Sequence, residues 1–261
     1  MMPILKRQKV IALKTEDEFS YPYYIFIPET ISKSPEIFVT IHGITRNAAE
    51  HCLRYAQNFD LDNTVIIAPL FSKDAFKHYQ ILRANDKGKR PCEALDVILD
   101  DVATRLEVCT NQFTLSGYSG GGQFAHRYLY LNPNKLIAVS VGAPGTVSQL
   151  DPSLKWWPGT ANFKELFGHE PNLKAMRGVN IQLIIGENDT ETRDVTVSEF
   201  SQTWTVGAND AGINRRDRLS TLNNNITDHG MRPEITIVPD VAHEGMRILD
   251  EVKAFFSRVL S

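Results

Sequence analysis

The chain has 261 residues, which suits one large α/β domain or two small ones, and its 42% apolar content suits a substantial core. Its formal net charge of −3, with Lys and Arg scattered in small groups such as Arg215-Arg216 with Arg218, excludes an electrostatic footprint for nucleic acid or an anionic membrane surface. Those arginines read as a solvated helix face, and Cys52, Cys92 and Cys109 read as free thiols in a reducing cytoplasm.

The opening Met1-Met2-Pro3-Ile4-Leu5-Lys6-Arg7 has early positive charge but no apolar stretch behind it, so no secretory signal is expected. No apolar run is long enough to span a bilayer. Val10-Ile11-Ala12-Leu13 and Tyr23-Tyr24-Ile25-Phe26-Ile27 follow, two strands close enough to pair as a hairpin. Further strand-like runs lie at 37–41, 64–68, 113–115, 136–141, 181–185 and 234–238. Their near-continuous apolar character marks strands buried on both faces, as a parallel sheet covered by helices requires. Between them, residues 48–59, 92–107, 123–131 and 245–260 carry apolar residues at helical spacing. Two segments break this alternation: 145–178, with Trp156-Trp157-Pro158-Gly159, and 190–233, with a helix expected over 214–229. Both exceed ordinary connection lengths and read as excursions over one face of the sheet.

Gly117-Tyr118-Ser119-Gly120-Gly121 places a serine in Gly-x-Ser-x-Gly between a strand-like and a helix-like run. A serine hydroxyl is a poor nucleophile unless it is held exposed, beside a base and near donors for an oxyanion. A sharp strand-to-helix turn supplies that exposure, so the motif points to a hydrolytic or acyl-transfer enzyme. The base and its orienting acid should lie in loops leaving the carboxyl ends of strands. After the run 181–185 come Gly186-Glu187-Asn188-Asp189-Thr190, and after 235–238 come Pro239-Asp240-Val241-Ala242-His243-Glu244-Gly245. Loop position favours Asp189, with Glu187, Glu191 and Asp194 as competitors and a plain turn residue as the blander reading. His229 precedes the final strand and is expected at the wrong end of the sheet.

With nucleophile, acid and histidine in this order, the chain resembles the α/β-hydrolase superfamily over nearly its whole length. The residues around position 40 and the Trp156-Trp157-Pro158 insertion most resemble those of bacterial esterases and polyester depolymerases. The resemblance implies an α/β-hydrolase fold: a mostly parallel eight-stranded sheet with helices on both faces and a small cap insertion. It implies one domain over 1–261, with 145–178 and 195–233 as cap or lid insertions. It makes Ser119 the nucleophile, His243 its base and Asp189 the residue that orients the imidazole. The backbone N–H groups of Ile44, after His42-Gly43, and of Gly120 would hold the oxyanion. The implied function is a serine hydrolase cleaving a small carboxylic ester through an acyl-enzyme, in the cytoplasm and without a cofactor. An acyltransferase or peptidase would use the same groups, and a non-enzymatic ligand-binding protein of this fold is the other class left open.

His42, Phe71, Tyr118, Trp156 and Trp157 are the pocket candidates. His42 is expected to shape the oxyanion loop, and ordinary packing competes evenly with a cap role for the tryptophans. Gly120, Gly122 and Ala125 also fit a dinucleotide fingerprint, but no acid follows at the next strand's end. His243-Glu244 opens a zinc-protease pattern that Arg247 interrupts, so no metal site is expected.

Overall fold

The computed structural model describes residues 5–58 and 63–260. The first four residues of the N-terminal segment, and Phe59 at the end of the expected helix 48–59, lie outside the described residues. Strands β1 (Val10–Lys14) and β2 (Pro22–Phe26) pair antiparallel as the expected hairpin. They are followed by β3 (Glu36–Ile41), β4 (Thr64–Pro69), β5 (Phe113–Tyr118), β6 (Leu136–Gly142), β7 (Asn180–Gly186) and β8 (Glu234–Val238). One eight-stranded sheet results, in the order β1-β2-β4-β3-β5-β6-β7-β8. β2 runs antiparallel to β4, and every pair beyond it is parallel.

The helices are α1 (Ala48–Asn58), α2 (Pro91–Leu106), α3 (Gly120–Leu131), α4 (Phe163–Phe167), α5 (Leu173–Met176), α6 (Arg215–Asp228) and α7 (Leu249–Leu260). Because side chains alternate across a strand, each strand feeds two cores. Ile37, Val39, Ile41, Leu115, Val139, Val141 and Leu183 pack toward Leu95 and Ile98 of α2, Phe124 of α3 and Leu222 of α6. Phe38, Ile66, Ala138 and Ile184 face the other way, onto Cys52 and Tyr55 of α1 and Val252 and Phe256 of α7. Helices therefore cover both faces, which is why the central strands read as continuous apolar runs. β8 differs. It is an edge strand, and Ile235 and Ile237 stay about half exposed.

The α1/α7 face also carries a row of polar residues. Thr40, Ser116, Ser140 and Gln182 sit side by side in register on four neighbouring strands, all buried. Burying them is tolerable because they are paired: Tyr55 and Ser116 share a 2.7 Å hydrogen bond, and Ser140 donates to Gln182 at 2.7 Å.

Two helix starts differ from the sequence expectation. α3 begins three residues early, directly after Ser119, because glycines 120–122 form its first turn against the sheet. α7 begins at Leu249, so residues 245–248 belong to the loop carrying His243. Gly245 there lies against the Tyr118 ring, where a Cβ would come within 2.9 Å of Cδ1.

Candidate active site

Ser119 sits between β5 and α3 with φ 56° and ψ −116°, a left-handed conformation that a residue with a Cβ rarely adopts. Such a backbone costs about 1–3 kcal/mol and persists only where its surroundings impose it. They do so here. Ser119 donates its backbone N–H to Gly142 O at 2.8 Å, which ties the turn to the end of β6. The helix behind it comes too close for side chains: a Cβ on Gly121 would lie 2.1 Å from Ile41 O, and one on Gly122 2.3 Å from Gly142 O.

The loop after β3 approaches the same point. A Cβ on Gly120 would lie 3.1 Å from Ile44 N and 2.6 Å from the Tyr79 hydroxyl. Among the described residues neither the Ile44 nor the Gly120 N–H donates to a protein acceptor, so two neighbouring donors stand free beside Ser119. Ile44 offers only its main chain; its side chain is 62% exposed.

His42 anchors this loop rather than lining a pocket. It is fully buried, with Nδ1 2.8 Å from Gly43 O and Nε2 accepting from Phe71 N at 3.0 Å. Burial lowers its pKa to about 4, so the ring is neutral at neutral pH with its proton on Nδ1. Arg46 grips the loop from outside. Its guanidinium donates to Ile44 O at 2.9 Å, Phe71 O at 2.9 Å and Lys77 O at 3.1 Å. Tyr79 completes the clamp by donating to His42 O at 2.8 Å. Sequence reasoning singled out neither Arg46 nor Tyr79, because each acts through main-chain carbonyls that no spacing pattern announces.

Asp189 and His243 meet from the loops after β7 and β8. His243 Nδ1 lies 2.6 Å from Asp189 Oδ2, and the carboxylate is fully buried. The two loops are joined backbone to backbone, Glu187 N to Val238 O at 2.9 Å and Asn188 N to Val241 O at 2.8 Å. Gly186 permits that approach, since a Cβ there would fall 2.2 Å from Val241 O. The Tyr118 ring stacks on the imidazole at 4.9 Å, its hydroxyl 3.3 Å from Nδ1. Two of the competing acids are engaged elsewhere: Glu187 accepts from Asp240 N, and Glu191 accepts from the backbone of Thr192 and Arg193. The third, Asp194, lines the same cavity as Ser119, but the acid bonded to His243 is Asp189. His229 ends α6, with Nδ1 2.7 Å from Asn225 O.

The arginine group correcting the solvated-face expectation also lies here. Arg215 and Arg218 are 5% and 1% exposed, and Arg215 Nη1 lies 3.3 Å from Asp189 Oδ1. The signal missed in the sequence was the spacing of the pair, which puts both residues on one helix face.

Ser119, His243, Ile44 and Tyr118 line one cavity of about 440 Å³ with Arg215 and Asp194. It continues between α1 and α7 past His51 and Arg54 to Ser116 and Ser140 of the polar row. Among the described residues no hydrogen bond joins His243 to the Ser119 hydroxyl. Of the pocket candidates only Tyr118 lines this cavity. His42 and Phe71 are buried in the core behind the loop after β3, where Phe71 stacks on Phe124 at 5.3 Å. Trp156 donates to Ile81 O at 2.9 Å and packs on Phe163 and Phe167, while Trp157 donates to Thr203 O at 2.7 Å. Their indole N–H groups are satisfied by main-chain carbonyls, and neither ring lines Ser119's cavity.

Comparison of the sequence with family models and with curated proteins gave no match. Solved structures did match. Poly(aspartic acid) hydrolase-1 from Sphingomonas sp. KT-1 superposes with a TM-score of 0.77 at 15% identity, covering 95% of this chain and 98% of that one. The chain has the α/β-hydrolase fold. A poly(3-hydroxybutyrate) depolymerase from Bordetella parapertussis gives 0.74 at 18% identity, covering 95% and 90%. An S-formylglutathione hydrolase from Staphylococcus aureus gives 0.58 at 13%, covering 99% of each chain. No described helix is long and apolar enough to cross a membrane.

Proposed function

We propose that the protein is a serine hydrolase that cleaves a carboxylic ester through an acyl-enzyme, with Ser119, His243 and Asp189 as its triad. One observation carries this reading. The Asp189–His243 hydrogen bond of 2.6 Å borders the same cavity as a serine held at φ 56° beside two free backbone donors. Structures of similar fold include enzymes named as hydrolases of polymers and of a thioester-type conjugate, which supports hydrolysis as the reaction class.

In this mechanism His243 takes the Ser119 proton through Nε2 as Oγ attacks the ester carbonyl. The N–H groups of Ile44 and Gly120 donate to the developing oxyanion, and His243 returns the proton to the leaving alcohol. Asp189 keeps Nδ1 protonated, so Nε2 presents its lone pair to the serine. Water, deprotonated by the same nitrogen, then releases the acid and frees the serine. The serine–imidazole hydrogen bond forms as substrate enters, since such contacts are often open in free enzymes. We place the enzyme in the cytoplasm, where the free Cys52, Cys92 and Cys109 would stay reduced.

Fluorophosphonate labelling of the intact chain tests the reading directly. The wild-type protein is expected to take one label and to turn over p-nitrophenyl acetate, while Ser119→Ala takes none and loses at least about a thousandfold in kcat. Equal labelling of the two proteins would refute it.

A further inference from the structure

We propose that Arg215 is a positioning residue of the triad, supplied by the 195–233 insertion to hold the outer oxygen of Asp189. The inference rests on the serine-hydrolase reading and goes beyond it, since no triad role requires a cation at this point.

The buried Asp189 carboxylate has two oxygens to satisfy. Oδ2 is taken by His243 at 2.6 Å, and among the described residues Arg215 Nη1, at 3.3 Å, is the only side-chain partner of Oδ1. Both members of the second pair are buried: their side chains are 6% and 0% exposed. A carboxylate in such a place rotates or shifts unless both oxygens are held, and rotation would carry Oδ2 off the imidazole. Arg215 has no competing acid within ion-pair distance among the described residues.

The turn that carries Arg215 is itself held in place. It occupies the first position of α6, whose N-cap Asn214 accepts from Asp217 N at 2.9 Å. One turn on, Arg218 donates to Gly212 O at 2.9 Å, Val195 O at 2.7 Å and Gly145 O at 2.5 Å. Arg216 donates to Glu187 O at 2.7 Å, in the same loop as Asp189. The first turn of α6 is thereby tied to both long insertions and to the acid loop. The excursion over the sheet delivers a guanidinium to the buried end of the proton relay.

Full-length Arg215→Ala, Arg215→Lys and Arg215→Met test this. With p-nitrophenyl acetate, Arg215→Ala is expected to lose about ten- to a hundredfold in kcat, the rate equivalent of one unsatisfied buried acceptor, with KM changed by less than about threefold. Arg215→Lys, or free guanidinium at tens of millimolar added to Arg215→Ala, restores a large part of the loss. The downfield proton resonance of the His243–Asp189 hydrogen bond is present in wild type and lost or broadened in Arg215→Ala and Arg215→Met. The same resonance is read with and without Arg215→Met in a Ser119→Ala background, so the coupling is tested even if esters are not turned over. A kcat within twofold of wild type with an unchanged resonance overturns the proposal. So does a loss that neither lysine nor guanidinium recovers while the thermal midpoint falls, because that marks Arg215 as a fold residue only.

Discussion

Gly120 shows how little room a single atom has at this site. The methyl group of an alanine would lie 2.6 Å from the Tyr79 hydroxyl, 3.0 Å from Ile44 Cγ2 and 3.1 Å from Ile44 N. The collision falls between the two backbone N–H groups proposed to hold the oxyanion, so they must separate. Gly120→Ala is expected to keep its circular dichroism spectrum and to lose about a hundredfold in kcat, the usual consequence of misplacing one oxyanion donor. Steady-state kinetics on a p-nitrophenyl ester reads this. The residues proposed for the chemistry were legible in the sequence because their order and their places after strands obey a rule of the fold. Arg46, Tyr79 and Arg215 were not, because what they touch is set by tertiary packing. Trp156 and Trp157 show the opposite error of emphasis: large aromatics suggest a pocket, yet their N–H groups are paired with the main-chain carbonyls of Ile81 and Thr203.

At the scale of elements, the loop after β3 is the piece most dependent on remote support. It runs from Ile41 to Ala48 and is clamped by Arg46 through three carbonyls, by Tyr79 through His42 O, and by the buried His42 ring. Arg46→Ala removes the outer clamp and leaves Ser119, His243 and Asp189, the proposed triad, in place. The expected result is a fall of about tenfold in kcat with unchanged fluorophosphonate labelling stoichiometry, measured side by side with wild type. The strands were readable as apolar runs, and the α6 and α2 boundaries fell within a residue of expectation. The start of α7 was not, because residues 245–248 carry amphipathic spacing while their backbone is drawn into the histidine loop by the close approach of Gly245 to Tyr118. The polar row Thr40-Ser116-Ser140-Gln182 was also hidden: it exists only once four separate strands are in register.

For the whole molecule, acid stability follows from histidines kept neutral by burial. His42 and His51 are each lowered to about 4, and His126 lies well below its ordinary value, in every case chiefly through desolvation. In the unfolded chain these rings titrate near 6.5, so between that pH and about 4 the unfolded state binds more protons than the folded one. Stability is therefore complete above the unfolded value and falls as pH drops through the window. Each fully depressed ring contributes up to about 1.4 kcal/mol per pH unit. Thermal melts between pH 7.5 and pH 4.5 should show a steep fall in midpoint on the order of ten degrees, reduced when His51 is replaced by Gln. A flat midpoint across that range contradicts the assignment.

The staple between the β7 and β8 loops has a consequence for how the chain tolerates being cut. Because Glu187 and Asn188 bond main chain to main chain with Val238 and Val241, the spacing of carboxylate and imidazole is fixed by two adjoining strand ends. Among the described residues the exposed stretch between 198 and 204 makes no hydrogen bond to Asp189 or His243, and its carbonyls accept instead from Arg83 and Trp157. New termini opened in this surface stretch would break covalent continuity there yet leave the Asp189–His243 pair in alignment, which makes it the natural seam for a permuted or two-fragment version of the protein.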